Sequence, residues 1–354
     1  MSYYGREYWT SRWGVQVRLS ALLPDQVRDP GPDPSVTGLA YDSRRVKPGF
    51  LFFCLPGFRR DGHDFLEEAR RRGAVAAVVE KRVETVLPAY LVTSARRALA
   101  EASAAFYGHP GSRLHVTGIS GTNGKTTVSY WLDSIYKCCG YRTGLIGTIQ
   151  YRGHGWARPA TLTTPESLEL QSLLSGMLAE GVAHVVMEVS SHALALERIS
   201  GLAFDAEVLT NVTHDHLDFH GDLGTYWAVK AGFVRNLRRD GTVGPRASGD
   251  APGRKGEPLA VLNADDPVCG ALRPGEGVRR LTFGFGPAAD VRAREWELQP
   301  DGTRAVIDLG ERPVPVRLRL PGLFNLANAL AAAAAAFGQG VASGLIRDGL
   351  EALT

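Results

Sequence analysis

Apolar and polar positions alternate along this chain in two different rhythms. In the first 110 residues the apolar runs are short: 49–55 and 74–80 read as strands, and 65–72 and 99–107 as helices. A His-Pro-Gly-Ser turn at 109–112 closes that stretch. From Leu114 the pattern becomes strand–helix–strand. Strands are expected at 114–117, 182–189, 207–211 and 259–263, with helices at 126–138, 166–179 and 225–238. This alternation predicts an α/β chain whose central domain is a mostly parallel sheet covered by helices on both faces. Hairpin-like segments are expected across 281–320 and a helix over 325–337, where the alanine run 331–336 reads as packed helix. Residues 239–258, rich in Gly, Pro and charge, read as a flexible surface insertion.

Composition narrows the function classes. A length of 354 residues suits two or three domains, and 44% apolar content supports sizeable cores. The net charge of +3 points to no charged partner. The arginine patches at 70–72 and 235–239 lack interleaved aromatics, so neither nucleic acid nor a membrane is expected as partner. The four cysteines, Cys54, Cys138, Cys139 and Cys269, form no C-x-x-C pair, which fits a reduced, cytoplasmic protein. Residues 1–16 have no apolar core of a secretory signal, and no run reaches the ~20 apolar residues of a membrane span.

The strongest chemical signal is GISGTNGKTT (118–127), placed between an apolar strand and a helix. Its three glycines, the charge of Lys125 and the N–H groups of the helix start read as a triphosphate cradle. It is a variant phosphate loop, because Ile119 stands where the strict spacing asks for glycine. A second signal is Glu188, at the end of a hydrophobic strand. An acid so placed near a phosphate loop is expected to hold Mg2+ on phosphates, against the alternative of a surface carboxylate. A third is THDHLDFHG (213–221). Its histidines and aspartates are candidates for a second metal or for orienting phosphates, and by spacing alone also for a zinc hydrolase. The phosphate loop, Glu188 and 211–216 all fall at expected strand ends, where ligands of such sheets bind.

Taken together, the motifs resemble a known family. GTNGKTT (121–127), TLTTPE (161–166), MEVSSHAL (187–194), TNVTHDHLDFHG (210–221) and Lys230 follow in the order seen in Mur ligases of the UDP-N-acetylmuramoyl-tripeptide synthetase (MurE) type. YDSR (41–44), DGH (61–63) and PGLFNLAN (321–328) also look like that family. The resemblance implies a small N-terminal α/β domain for UDP-MurNAc at 1–110 and a central ATP-binding domain at 111–338. It also implies a diamino acid, meso-diaminopimelate or L-lysine, joined to UDP-MurNAc-L-Ala-D-Glu through an acyl phosphate in peptidoglycan synthesis.

By the same resemblance, Gly121, Thr122, Asn123, Gly124, Lys125, Thr126 and Thr127 hold ATP phosphates, and Asn325 and Asn328 lie near the adenine. Thr126, Glu188, His216 and a carbamylated Lys230 would ligate Mg2+, with Lys125, Lys230 and His216 as catalytic residues. Ser43, Thr163, Thr164, Ser190 and Arg198 would contact the UDP-sugar peptide. Leu196 departs from relatives that carry glutamine there, which puts that one contact in doubt. The family's third domain, with its Asp-Asn-Pro-Arg motif, does not follow. Residues 339–354 then read as its truncated start, and little turnover is expected from the chain alone. A separately encoded C-terminal domain, or a non-catalytic nucleotide-binding remnant, is the alternative. Folate ligases, which begin at the phosphate-loop domain, do not account for YDSR (41–44).

Overall fold

The computed structural model describes residues 16–23, 32–57, 60–213, 223–235, 257–310 and 313–353. By contacts the chain divides into two units. The first runs to Pro110 and takes in Pro165–Gly176 and Leu196–Leu202; the second comprises Gly111–Thr164, Met177–Ala195 and Ala203–Thr354.

In the first unit, β1 (Val17–Arg18) and β2 (Ser35–Val36) pair antiparallel. The main sheet is all parallel: β3 (Gly38–Ala40), β4 (Phe50–Phe53), β5 (Ala76–Val79) and β6 (Ala89–Leu91), in that order. The runs FLFF and AAVV are apolar throughout because both faces of the sheet are covered. Leu51, Phe53, Ala76 and Val78 meet the helix Ala95–Phe106 on one face. Phe50, Phe52, Ala77 and Val79 pack with Leu66 and Ala69 on the other. That first helix starts four residues before the expected Leu99, because the Ser94 hydroxyl accepts from Arg97 N at 3.1 Å and caps it.

The second unit is built on an eleven-stranded sheet. Its strands are β7 (His115–Ser120), β8 (Thr143–Ile146), β9 (Gln150–Gly153), β10 (Trp156–Pro159), β11 (His184–Glu188), β12 (Ala206–Leu209), β13 (Leu259–Asn263), β14 (Arg279–Gly284), β15 (Val291–Gln299), β16 (Gly302–Asp308) and β17 (Pro313–Leu318). The order is β10-β9-β8-β11-β7-β12-β13-β14-β15-β16-β17. The stretch from β8 to β15 is parallel and the two ends are antiparallel. Three strands, β8 to β10, have no counterpart in the sequence expectation. The segment 281–320 also differs from the hairpins expected: β14 pairs parallel with β13, and only β15–β17 form an antiparallel meander.

One face of this sheet buries Ile119, Val186, Val208 and Val261 under the helices Lys125–Cys138, Leu323–Gly338 and Ser343–Ala352. Ala331 to Ala336 are each fully buried, so the middle helix lies against its neighbours with nothing larger than a methyl group along that run. The last helix is tied in by Trp131 Nε1 donating to Leu350 O at 3.0 Å and Ser134 Oγ to Gly349 O at 2.8 Å. A Cβ at Gly349 would lie 2.4 Å from Ile135 Cα, which shows how closely the two helices cross. On the opposite face, Phe233 of the helix Leu223–Arg235 meets Phe204 edge-on at 5.4 Å. No helix among the described residues is long and apolar enough to cross a membrane.

Candidate active site

β7 runs into the loop 121–124 and then into the helix Lys125–Cys138. The three glycines of this turn have separate reasons. Gly118 is a packing glycine: a Cβ there would come within 2.7 Å of the Phe204 ring and 2.9 Å of the Phe233 ring. Gly121 and Gly124 have φ of 141° and 89°, which L side chains rarely adopt. A Cβ would also fall 1.9 Å from Thr210 Oγ1 at Gly121 and 2.2 Å from Asn328 Oδ1 at Gly124.

Gly124 is the N-cap and offers no side chain, so the first-turn N–H groups are left uncapped for an anion. Lys125 Nζ donates to Gly121 O at 2.8 Å and to Thr122 O at 2.9 Å, which holds its charge over the loop. The loop is fastened to the segment after β12. Thr122 N donates to Asn211 O and Asn123 N to Asn211 Oδ1, both at 2.9 Å, and Thr210 Oγ1 donates to Asn123 O at 2.6 Å. Tyr226 Oη and Thr122 Oγ1 are 2.9 Å apart.

Glu188 ends β11, fully buried. Its Oε2 accepts from Thr126 Oγ1 at 3.0 Å and from Thr148 Oγ1 at 3.0 Å, and its Oε1 accepts from Thr148 N at 2.9 Å. Gly147 makes room for it, since a Cβ there would be 2.3 Å from Glu188 Oε1. Thr163 Oγ1 lies 3.1 Å from Thr148 Oγ1. Thr164 Oγ1 donates to Glu188 O at 2.9 Å and accepts from Ser190 N at 3.0 Å. The loop, Thr126, Glu188, Thr148, Thr163, Ser190, Tyr226 and Lys230 line one cavity of about 290 Å3. Lys230 is 1% exposed, with its ammonium 5.0 Å from the Tyr226 ring centroid.

Asn328 stands on the loop through Gly124, whereas Asn325 Nδ2 donates to Pro321 O at 2.8 Å, closing its own helix start. His216, and with it the whole run 214–222, lies outside the described residues. Among the described residues no three His, Cys, Asp or Glu side chains are grouped to hold a metal ion.

Ser43 and Arg198 belong to the first unit. Ser43 Oγ donates to Glu68 Oε2 at 2.7 Å. Arg198 Nε lies 2.7 Å from Glu166 Oε1, and Arg96 Nη1 lies 3.3 Å from Glu166 Oε2. All three side chains are at most 19% exposed, so two guanidinium groups share one carboxylate out of water. Beside them Glu169 Oε1 accepts from Tyr41 Oη and from Arg45 Nη1, each at 3.0 Å. Burial, then the Glu169 charge, raises the Tyr41 hydroxyl above its ordinary range, and burial raises the Glu169 carboxyl. Asp61 accepts from His63 N at 3.0 Å and from Lys81 Nζ at 2.7 Å; the Lys81 hydrogen bond leads in pulling its carboxyl down.

Comparison with known proteins adds to this geometry. Residues 119–336 match the Mur ligase middle domain, and 35–107 match the Mur ligase family catalytic domain. The chain belongs to the Mur ligase family. Among its relatives is the UDP-N-acetylmuramoyl-L-alanyl-D-glutamate–2,6-diaminopimelate ligase of Solibacter usitatus, 42% identical over 340 residues, covering 96% of this chain and 66% of that protein. The enzyme of the same name from Geobacillus thermodenitrificans is 40% identical, covering 90% of this chain and 63% of its own length. This Mur ligase chain therefore spans about two thirds of the length of those relatives. A solved structure of a ligase of that name superposes with a TM-score of 0.80 at 22% identity, over 96% of this chain and 67% of the other, which establishes the shared fold.

Three residues at this cavity or fastened to its loop carried no expectation of their own in the sequence: Thr148, Thr210 and Tyr226. Thr210 lies inside a quoted motif. Thr148 could have been suspected from the Gly147-Thr148 pair that ends the short apolar run 145–146. Tyr226 sits one helical turn before Lys230 and so shares its face.

Proposed function

We propose that this chain carries the nucleotide-sugar and ATP parts of a ligase that adds 2,6-diaminopimelate to UDP-MurNAc-L-Ala-D-Glu. The names of its relatives supply the substrates. The observation that carries the chemistry is the juxtaposition of Thr126 Oγ1 and the buried Glu188 carboxylate, 3.0 Å apart, beside the uncapped helix start. Hydroxyl and carboxylate oxygens are the donor set of a hard divalent cation. The glycine loop, which a Cβ would fill at two places, suits a polyphosphate. Residues and groups fit Mg2+ and ATP.

In this reading the first-turn N–H groups and Lys125 hold the β- and γ-phosphates. Thr126 and Glu188, with His216 and a carbamylated Lys230, would hold Mg2+, which would supply neutralising charge beside the phosphate oxygens. Carbamylation would turn the buried cation at Lys230 into an anion suited to a metal. A carboxylate oxygen of the D-Glu residue takes the γ-phosphoryl group and ADP leaves. The diamino acid's amine nitrogen then attacks the carbonyl carbon, loses a proton, and phosphate departs. Lys125 and the loop N–H groups stabilise the charge that accumulates on the phosphoryl oxygens.

Thr163, Thr164, Ser190, Ser43 and Arg198 are the substrate-binding residues of this proposal, and Asn325 and Asn328 the adenine-side ones. Its domains are 1–110 for UDP-MurNAc and 111–338 for ATP, with the helix Ser343–Ala352 packed into the second unit.

Calorimetric titration with UDP-MurNAc-L-Ala-D-Glu, with and without a Mg2+-bound ATP analogue, tests the reading. Saturable binding of both supports it. Binding of the ATP analogue alone would sink the substrate assignment and leave a nucleotide-binding module.

A further inference from the structure

The second unit holds another pocket, of about 490 Å3, at the far end of the phosphate-loop helix. It is walled by Lys137 in the last turn of that helix, by Thr143 at the start of β8, and by the turn between β9 and β10. At ~1.5 Å per residue the helix separates it from Lys125 by roughly 18 Å. Three permanent cations, Lys137, Arg142 and Arg152, line it with His154, Tyr141 and Trp156; among the described residues no Asp or Glu does.

The charges behind the wall do not balance. Asp133 serves two of the cations, Arg152 at 2.6 Å and Lys137 at 3.0 Å. Arg142 Nη1 reaches only a backbone carbonyl, that of Glu180, at 3.3 Å. The Glu180 carboxylate accepts from Trp156 Nε1 at 2.9 and 2.8 Å. The wall also holds Thr143, 4% exposed, whose buried hydroxyl has no hydrogen-bond partner among the described residues.

The two rings are fixed before any ligand arrives. Tyr141 stacks on His184 with centroids 4.1 Å apart and planes at 28°. Trp156 is pinned by Glu180 and covered by the Arg158 guanidinium at 5.2 Å. Rings held in place cost little to order on binding.

We propose that this pocket binds a small organic anion built on a flat ring, a ring compound carrying a phosphate or a carboxylate. The ring lies against Tyr141 and Trp156, and the anionic group meets Lys137 and Arg142. The site is separate from the ATP cavity and does not depend on the ligase reading.

The test titrates the full chain with 1-naphthyl phosphate by calorimetry, with 2-naphthoate as the carboxylate arm. Saturable one-to-one binding to at least one of them is expected. Arg142→Glu and Lys137→Glu, both on exposed side chains, each weaken it about tenfold or more, the scale of one charge-assisted hydrogen bond. Lys125→Ala, at the other end of the helix, leaves it unchanged. Inorganic phosphate and 2-naphthol, which lack the ring or the charge, bind at least about tenfold more weakly. Unaltered melting of the charge-reversal variants shows that they fold. Absence of saturable binding would overturn the proposal. So would loss on Lys125→Ala with none on Arg142→Glu, or inorganic phosphate binding as tightly as the ring compounds.

Discussion

The phosphate-loop cavity and the ionic cluster of the first unit hold charge in opposite ways. Around the loop, most of the preorganised groups are neutral dipoles, backbone N–H and the hydroxyls of Thr126 and Thr148, set with the Lys125 ammonium and one carboxylate whose oxygens are satisfied by those hydroxyls and one N–H. In the cluster, two guanidinium groups, Arg96 and Arg198, grip the one carboxylate of Glu166. The first arrangement suits a ligand whose charge moves during reaction, since fixed dipoles need no rearrangement. The second, with formal charges fixed in ion pairs, suits a ligand whose charge stays in place.

Lys125→Ala should break the first region most. Removing this cation from over the loop is expected to weaken the ATP analogue by roughly 100-fold or more in calorimetry, on the scale of a lost charge-stabilising group. Binding of the dipeptide substrate should change little. Equal loss of both would mean that the two regions are not separable.

Gly124→Ala comes next. The residue must adopt φ of 89° and would push a methyl group into Asn328. A stability loss of about 1–3 kcal/mol by denaturant titration is expected, with nucleotide binding reduced alongside. Unchanged stability would show that Asn328 moves aside freely.

Glu166→Gln sharpens the comparison from the other side. With its carboxylate neutralised, Arg96 and Arg198 lose their anchor. UDP-MurNAc-dipeptide affinity should shift about tenfold while the ATP analogue is unaffected. A loss on the ATP side would contradict the division of labour.

The smallest effect concerns a carboxyl that neither region uses. Glu207, 2% exposed on β12 between Gly118 and Ala260, is pushed well above its ordinary value of 4.5 by burial. Its folded form keeps the proton after the unfolded chain has lost it. Stability is therefore untouched below about pH 4.5 and falls as pH rises from there toward the raised folded value. Glu207→Gln should flatten that slope, raising the melting temperature at pH 8 more than at pH 5. A parallel offset at both values would refute it.

How much of this was legible in the sequence depends on whether the partners are contiguous. The loop, the strand before it and Glu188 at a strand end were readable, because motif and periodicity coincide there. The strands β8 to β10 were not. Each is four residues long and the segment is broken by Gly144, Gly147, Gly153 and Gly155, so no period of two persists. The parallel pairing of β14 was missed because alternation reports a strand, not its neighbour's direction. The Glu166 pairing with Arg96 joins positions 70 apart, which no local pattern reveals. The different task of Gly118 was hidden for the same reason, since the rings it admits come from Phe204 and Phe233.

The alanine helix Leu323–Gly338 has a consequence for how this chain can vary over generations. Six successive fully buried methyl groups let the helix that carries Asn328 pack closely against its neighbours. A mutation that swaps any one of them for a bulkier side chain, although remote from every polar contact, overpacks the core around the helix that carries Asn328. The composition of that run thus sets how closely the helix can approach its neighbours, and its monotony is information rather than low complexity.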